Sequence, residues 1–300
     1  MKLLGHEKAK ELLARAQPQS LLITGPEGVG RRALARWFAY GLNCERGFPP
    51  CGQCPSCRMK PHPDYLEIGP KKETQSGEAA KRPLIHVDQI VPRASGETNL
   101  LEWVETRPRF ARRVAVIDGA ERLTEAAANA LLKTLEEPPA HAHVVLIAPS
   151  KSAILPTLAS RVQEVRLAPL PRERLLEISD DPDLLTFAEG APGRLFWALE
   201  HPEVVRDLAR ASDRLVGGLE DGGGLAAARE LLRLMDEGLD PAPFLARAYR
   251  RWGPAAEAAA LEALYKLREA RAAYVGAELL AAWWHQTLRR IHADLRARAL

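Results

Sequence analysis

A short, mostly apolar run, Leu21-Leu22-Ile23-Thr24, leads straight into Gly25-Pro26-Glu27-Gly28-Val29-Gly30, and a helical pattern begins at once after it. Ala33, Leu34, Trp37, Phe38 and Leu42 recur at the spacing of one helix face. A buried strand, a glycine-rich turn and a helix in that order constrain the chain to a βα unit. The G-x-x-x-x-G frame, Gly25 to Gly30, is that of a phosphate-binding loop. Small residues there let backbone N–H groups wrap anionic oxygens at a helix N-terminus. Two further apolar runs follow, Val114-Ala115-Val116-Ile117 and residues 143–148. Between them lies an Ala/Leu/Glu-rich helical pattern over 124–137, stopped by Pro138-Pro139. Strands alternating with helices predict a parallel sheet in an α/β domain.

From about Pro169 the pattern changes, and no further strand is expected. Residues 171–199 read as a small helical unit. Residues 201–300 carry long Ala/Leu/Arg/Glu helical patterns, interrupted at Gly222-Gly223-Gly224, Pro241–Pro243 and Gly253-Pro254. The predicted fold is therefore α/β followed by all-α, with an α/β domain over 1–167, a small helical domain over 168–203 and a larger helical domain over 204–300. The charged stretch 70–83 reads as a loop. With 300 residues, 46% hydrophobic and 27% charged, the chain can build two or three compact domains. A net charge of +3 gives no electrostatic footprint of a dedicated nucleic-acid binder. The basic groups at Arg107–Arg113 and Arg289–Arg298 read as solvated helix faces. No apolar run approaches the ~18 residues that span a bilayer, and the charged start Met1–Glu7 has no signal-peptide core. A soluble, cytoplasmic protein with no membrane partner is expected.

Three groups of residues carry chemistry. In a working phosphate loop, a Lys reaches the β/γ-phosphates and a Ser or Thr binds Mg²⁺. Those positions here are Arg31 and Arg32. Arginine carries donors only and cannot ligate the metal, so hydrolysis at this loop is not expected, while phosphate binding stays open. The second group is Asp118, which closes the strand 114–117 where such folds place the acid on the Mg²⁺ side; the next residue, where a water-activating Glu would stand, is Gly119. The third group is Cys44-x6-Cys51-x2-Cys54-x2-Cys57, which holds all four cysteines of the chain. Four thiolates at this spacing suit a closed, tetrahedral, structural Zn²⁺ site. Free core cysteines, redox thiols or an iron–sulfur cluster are the alternatives, and His62 is a possible substitute ligand.

Several segments together resemble the bacterial clamp-loader AAA+ subunits of DNA polymerase III. Asn129-Ala130-Leu131-Leu132-Lys133-Thr134-Leu135-Glu136-Glu137-Pro138-Pro139 is similar to the family's signature helix. Ala159-Ser160-Arg161-Val162 resembles its Ser-Arg-Cys motif, with Val in the Cys place. Ala191-Pro192-Gly193-Arg194 looks like its sensor-2 segment, and a four-cysteine insert after the loop helix is a family feature. The resemblance covers roughly the first two thirds of the chain.

It implies an AAA+ domain with an inserted zinc module (44–57), a helical lid and a helical collar. It also implies a five-subunit assembly with gamma/tau ATPase subunits and a delta subunit, which loads a sliding clamp onto primed DNA. Lys-Thr in the loop, Asp-Glu at the strand tip and a sensor-1 Thr mark the family's ATPase subunits. Here Arg31-Arg32, Asp118-Gly119 and Pro149-Ser150 stand instead. The resemblance thus implies a non-hydrolysing stator whose Arg161 acts as an arginine finger in a neighbour's ATP site. The local alternative for Arg161 is a pair with a carboxylate such as Glu164. An active AAA+ motor subunit, and a zinc-stabilised DNA-binding module on an inactive NTPase fold, are the competing functions.

Overall fold

A computed structural model describes residues 3–73, 79–91, 99–219, 223–273 and 276–299. They form two compact units, Met1–Leu170 and Pro171–Leu300. In the first unit the strands are β1 Ser20–Thr24, β2 Tyr65–Ile68, β3 Lys71–Glu73, β4 Ala79–Leu84, β5 Arg113–Asp118, β6 Ala142–Ala148 and β7 Gln163–Arg166. Five of them make a parallel sheet in the order β2-β5-β6-β1-β7.

The three strands expected from the sequence, β1, β5 and β6, are the inner three. They are covered on both faces, so they read as near-continuous apolar runs. Their alternate residues feed two cores. Leu22, Ala115, Ile117, Val144 and Leu146 pack with Ala127, Leu131 and Leu135 of the helix Glu125–Glu136. Leu21, Ile23, Val114, Val116, Val145 and Ile147 pack with Leu34, Ala35 and Phe38 of the helix Arg31–Leu42. Each fully buried Leu or Ile contributes about 2–3 kcal/mol.

The edge strands β2 (Tyr-Leu-Glu-Ile) and β7 (Gln-Glu-Val-Arg) escape a hydrophobicity reading because edges are half-solvated and carry charge. The stretch 70–83, expected as a loop, instead contains the antiparallel pair β3 and β4. Lys71-Lys72-Glu73 offers no apolar alternation from which a strand could be read; residues 74–78 lie outside the described residues.

The basic segment Arg107–Arg113, expected as a solvated helix face, is not helical. It runs from the end of the helix Leu100–Glu105 into β5. Arg113 packs 4.5 Å over the Trp103 ring and donates to the carbonyls of Pro63, Thr106 and Arg107. These contacts tie the start of β5 to the segment ahead of β2 and leave Arg113 mostly buried.

All described elements of the second unit are helices: Arg172–Leu176, Pro182–Ala188, Pro192–Glu200, Pro202–Gly217, Gly224–Asp236, Ala242–Arg250, Pro254–Ala272 and Ala277–Ala299. Prolines at the first or second helical position set several starts, where the missing N–H costs nothing. The interruptions at 241–243 and 253–254 occur where expected. The helix after the glycine run resumes at Gly224, with 220–222 outside the described residues. A further interruption, between Ala272 and Ala277, carries a single described glycine, Gly276, and was not anticipated. No helix among the described residues is long and apolar enough to cross a membrane.

Candidate nucleotide loop, metal centre and exposed arginine

Parallel strands bring their C-terminal ends to one edge of the sheet, and the loops there carry the candidate residues. Gly25 follows β1, Glu67 stands next to last in β2, Asp118 ends β5 and Pro149 follows β6. Gly25 has φ +145°, and a Cβ on it would lie 2.5 Å from the Leu167 carbonyl oxygen, so only glycine fits. Gly28 and Gly30 also have positive φ, +76° and +111°. Gly25 N donates to the Pro149 carbonyl (3.2 Å), and His6 Nε2 donates to the Val29 carbonyl (2.9 Å). Gly30 is the N-cap of the helix Arg31–Leu42 and leaves that helix end without a side-chain cap.

Arg32 bridges carboxylates at the ends of β2 and β5. Its Nε lies 3.1 Å from Asp118 Oδ2, and its Nη2 is hydrogen-bonded to Glu67 Oε1. Glu67 is held from two other directions, by Arg36 Nη2 at 3.2 Å and by the Tyr65 hydroxyl at 2.6 Å. Burial pushes the Glu67 carboxyl up, but the Tyr65 and Arg32 hydrogen bonds and the charges of Arg32 and Arg36 outweigh it. The group ends below its ordinary value. Asp118 goes the other way: burial raises it, and Arg32 only partly opposes that. Arg31, at the lysine position, has no ion-pair or hydrogen-bond partner among the described residues. Gly119 (φ +90°) offers no carboxylate, and the Ser150 hydroxyl at the sensor-1 place lies 3.0 Å from the Ser152 hydroxyl.

The four cysteine sulfurs lie within 4.8 Å of one another. Cys44, Cys54 and Cys57 are buried, Cys51 partly so, and none is in a disulfide. A tetrahedral ion with Zn–S bonds of ~2.3 Å sets its ligands about 3.8 Å apart, so these thiols fit a shared ion after small adjustments. Backbone N–H groups already point at the sulfurs. Arg46 and Cys51 donate to Cys44 Sγ, and Gln53 and Cys54 to Cys51 Sγ, all at 3.4 Å. The Gln53 and Cys54 amides hold the Cys51 thiol down to about 6, whereas burial pushes Cys57 up to about 12. The four-thiol group can hold a metal ion.

His62 is not available as a substitute ligand. Its Nδ1 accepts from Asp64 N at 3.1 Å, so Nε2 carries the proton and donates to Ser56 Oγ at 2.9 Å. Both ring nitrogens are spoken for, and burial lowers the imidazole pKa and keeps it neutral.

Arg161 follows the short helix Pro156–Ala159 and is folded back on its own domain. Its Nε and Nη2 lie 2.6 and 2.5 Å from Glu136 Oε1, and its Nη1 donates to the Thr157 carbonyl at 2.8 Å. The expected local partner, Glu164, is instead taken by Thr24 Oγ1 at 2.7 Å, because β7 pairs with β1 there. In the second unit Arg194 pairs with Glu189 at 2.7 Å and lies 4.9 Å from the Phe187 ring centre. The carboxylates Glu67, Asp64 and Glu136 were not singled out in the sequence. Glu67 sits in an unread edge strand, and no spacing rule marks the other two.

A family model described as DNA polymerase III, delta subunit, matches residues 6–171. The DNA polymerase III subunit delta' of Pseudomonas aeruginosa is 37% identical over 168 residues, 54% of this chain and 46% of that protein. The tau subunit of Salmonella typhimurium is 35% identical over 157 residues, 51% of this chain and 22% of its own length. A DNA polymerase III gamma subunit-related protein from Thermotoga maritima superposes with a TM-score of 0.48 at 23% identity, covering 95% of this chain and 98% of that one. The match spans about half the length of the delta' relatives. The parallel-sheet domain with its four-cysteine insert is of the DNA polymerase III clamp-loader class, and the remainder of the chain is helical. Within that class the chain belongs to the DNA polymerase III delta-subunit family, in its delta' branch.

Proposed function

We propose that this chain is a non-hydrolysing clamp-loader subunit, a stator that supports ATP-driven loading of a sliding clamp onto primed DNA. One observation carries the reading: the guanidinium of Arg32 lies between Asp118 and Glu67, where a hydrolytic site would hold Mg²⁺. A donor-only cation there neutralises the carboxylates without offering a ligand to metal or water. Residues 168–203 serve as a lid and 204–300 as a collar within a five-subunit ring that includes gamma/tau and delta subunits. Zn²⁺ on Cys44, Cys51, Cys54 and Cys57 is structural, since four thiolates leave no open position. Arg161 reaches a neighbour's ATP, where its planar, permanently charged fork suits charge developing on the γ-phosphate. Arg194 retains the sensor-2 position, and Gly25, Gly28, Gly30 and Arg31 retain the frame of a phosphate cradle.

The test is an ATPase assay on the purified chain with Mg²⁺, free of other subunits. Turnover indistinguishable from background is expected; clear Mg²⁺-dependent turnover refutes the reading.

A further inference from the structure

The guanidinium of Arg161 is occupied on almost every side. Its Nε and Nη2 both point at one carboxylate oxygen, Glu136 Oε1, at 2.6 and 2.5 Å. Its Nη1 donates to the Thr157 carbonyl at 2.8 Å and to Ser160 Oγ at 3.2 Å. An arginine has five N–H donors in a rigid fork, so four of them are committed within this chain. No two-donor face remains for a phosphate. The electrostatics favour the same placement. Glu136 is the last residue of the helix Glu125–Glu136 and Glu137 is its C-cap, so two carboxylates stand at the negative end of the helix dipole. Thr157 O belongs to the last turn of a second helix, Pro156–Ala159. Arg161 therefore neutralises two helix C-termini at once. Both side chains are partly exposed, Arg161 at 30% and Glu136 at 50%, so solvent screens the pair and leaves it weak enough to open.

From this geometry we propose that Glu136 is a latch that stores Arg161 on the chain's own signature helix, so that the arginine acts in trans only after exchanging this carboxylate for phosphate oxygens. The inference rests on the trans-acting reading of Arg161. A polyphosphate concentrates more charge than one carboxylate and accepts from the same Nε/Nη2 face, so the exchange is favourable when a neighbouring nucleotide comes within reach. Glu136 is a positioning residue that acts through Arg161. Its position is fixed by the end of the helix ahead of Pro138-Pro139, which makes the resting place of the arginine reproducible.

The experiment uses complexes reconstituted with gamma/tau and delta subunits and carrying Glu136→Gln, Glu136→Asp, Arg161→Ala or Glu136→Gln with Arg161→Ala. ATP turnover without clamp is followed as kcat and KM. Arg161→Ala is expected to lower kcat. Glu136→Gln, which keeps shape and loses charge, is expected to raise clamp-independent kcat about two- to five-fold with KM unchanged, the range of an exposed ion pair. Glu136→Asp should stay near wild type, and the double variant should fall to the Arg161→Ala value. If Arg161→Ala changes nothing, the trans-acting reading fails and the latch with it. If Arg161→Ala lowers kcat but Glu136→Gln leaves it unchanged or lowers it, or the double variant is additive, the arginine finger stands and the latch is wrong. Melting temperatures of the isolated variants separate misfolding from either result, and a Glu136→Gln chain that fails to fold counts for a purely structural pair.

Discussion

Arg32, at the start of its helix, joins two carboxylates that lie far along the sequence, Glu67 of β2 and Asp118 of β5. The pH behaviour of the cluster follows from the shifts. Glu67 is depressed, so the stability it contributes is present above the ordinary glutamate value of about 4.3 and is lost as pH falls through its lower folded-state value. Asp118 is raised, so its charged form is penalised in the fold, and that penalty is relieved as pH falls. Arg32→Ala removes a hydrogen bond and a charge from Glu67, leaving Arg36 and Tyr65 in place. The Glu67 carboxyl is expected to rise toward its ordinary value, and Asp118 to rise further. Carboxyl ¹³C titration by NMR checks both directions. Global stability at neutral pH should fall by no more than about 1 kcal/mol, because Arg32 is largely solvated.

The segment 109–112 hangs on two buried side chains that flank the cysteine module in sequence. Asn43, just before Cys44, accepts from the amides of Ala111 and Arg112 at 3.0 and 2.9 Å and donates to the Arg112 carbonyl at 2.9 Å. Asp64, just after the module, accepts from Arg109 N and Phe110 N at 2.7 and 2.8 Å, with Arg113 Nη1 3.3 Å away. Between them, His62 ties Asp64 to Ser56 on the short helix Pro55–Arg58 that carries Cys57. The cysteine module and its flanks thus brace the approach to β5 through hydrogen bonds. The purified chain is expected to contain about one zinc per molecule by elemental analysis. Removing it with a chelator should raise amide exchange about tenfold or more over 44–58, with a smaller rise over 109–112 and none in β6. Protection unchanged at 44–58 after complete metal loss would refute a structural role.

In the second unit the helical stripes divide between an internal core and an outer surface. Ala256, Ala260, Ala263, Leu264 and Leu267 are buried within it, as are Leu280, Trp284 and Leu288 of the last helix. Tyr265 and Leu279 remain 61% and 67% exposed on the same two helices. The apolar stripes of these two helices are therefore mostly core. If the chain assembles as proposed, mixing it with gamma/tau and delta subunits should give one species of five-subunit mass in light scattering. Separate elution of this chain from all mixtures contradicts assembly.

Three inner strands, the glycine frame, the signature helix and the cysteine cluster were legible in the sequence because each is a local pattern. A strand buried on both faces has to be apolar throughout, Gly25 has to be glycine where a Cβ would meet a carbonyl, and four clustered thiols in one short segment speak for themselves. The strands β2 and β7, the hairpin β3–β4 and the partners of every functional side chain were not legible. Edge and ribbon strands lack a fully buried face to betray them. Which carboxylate meets which arginine depends on a parallel sheet gathering strand ends from distant parts of the chain. Sequence adjacency pointed from Arg161 to Glu164, yet pairing of β7 with β1 commits Glu164 to Thr24, and the packing of the signature helix puts Glu136 against Arg161 instead. The sequence by itself determined that Arg31 and Arg32 exclude a metal-binding hydroxyl from this loop. Only the tertiary structure decided that Arg32 would bridge Glu67 and Asp118, because the ends of β2 and β5 converge on that guanidinium only after the sheet has formed.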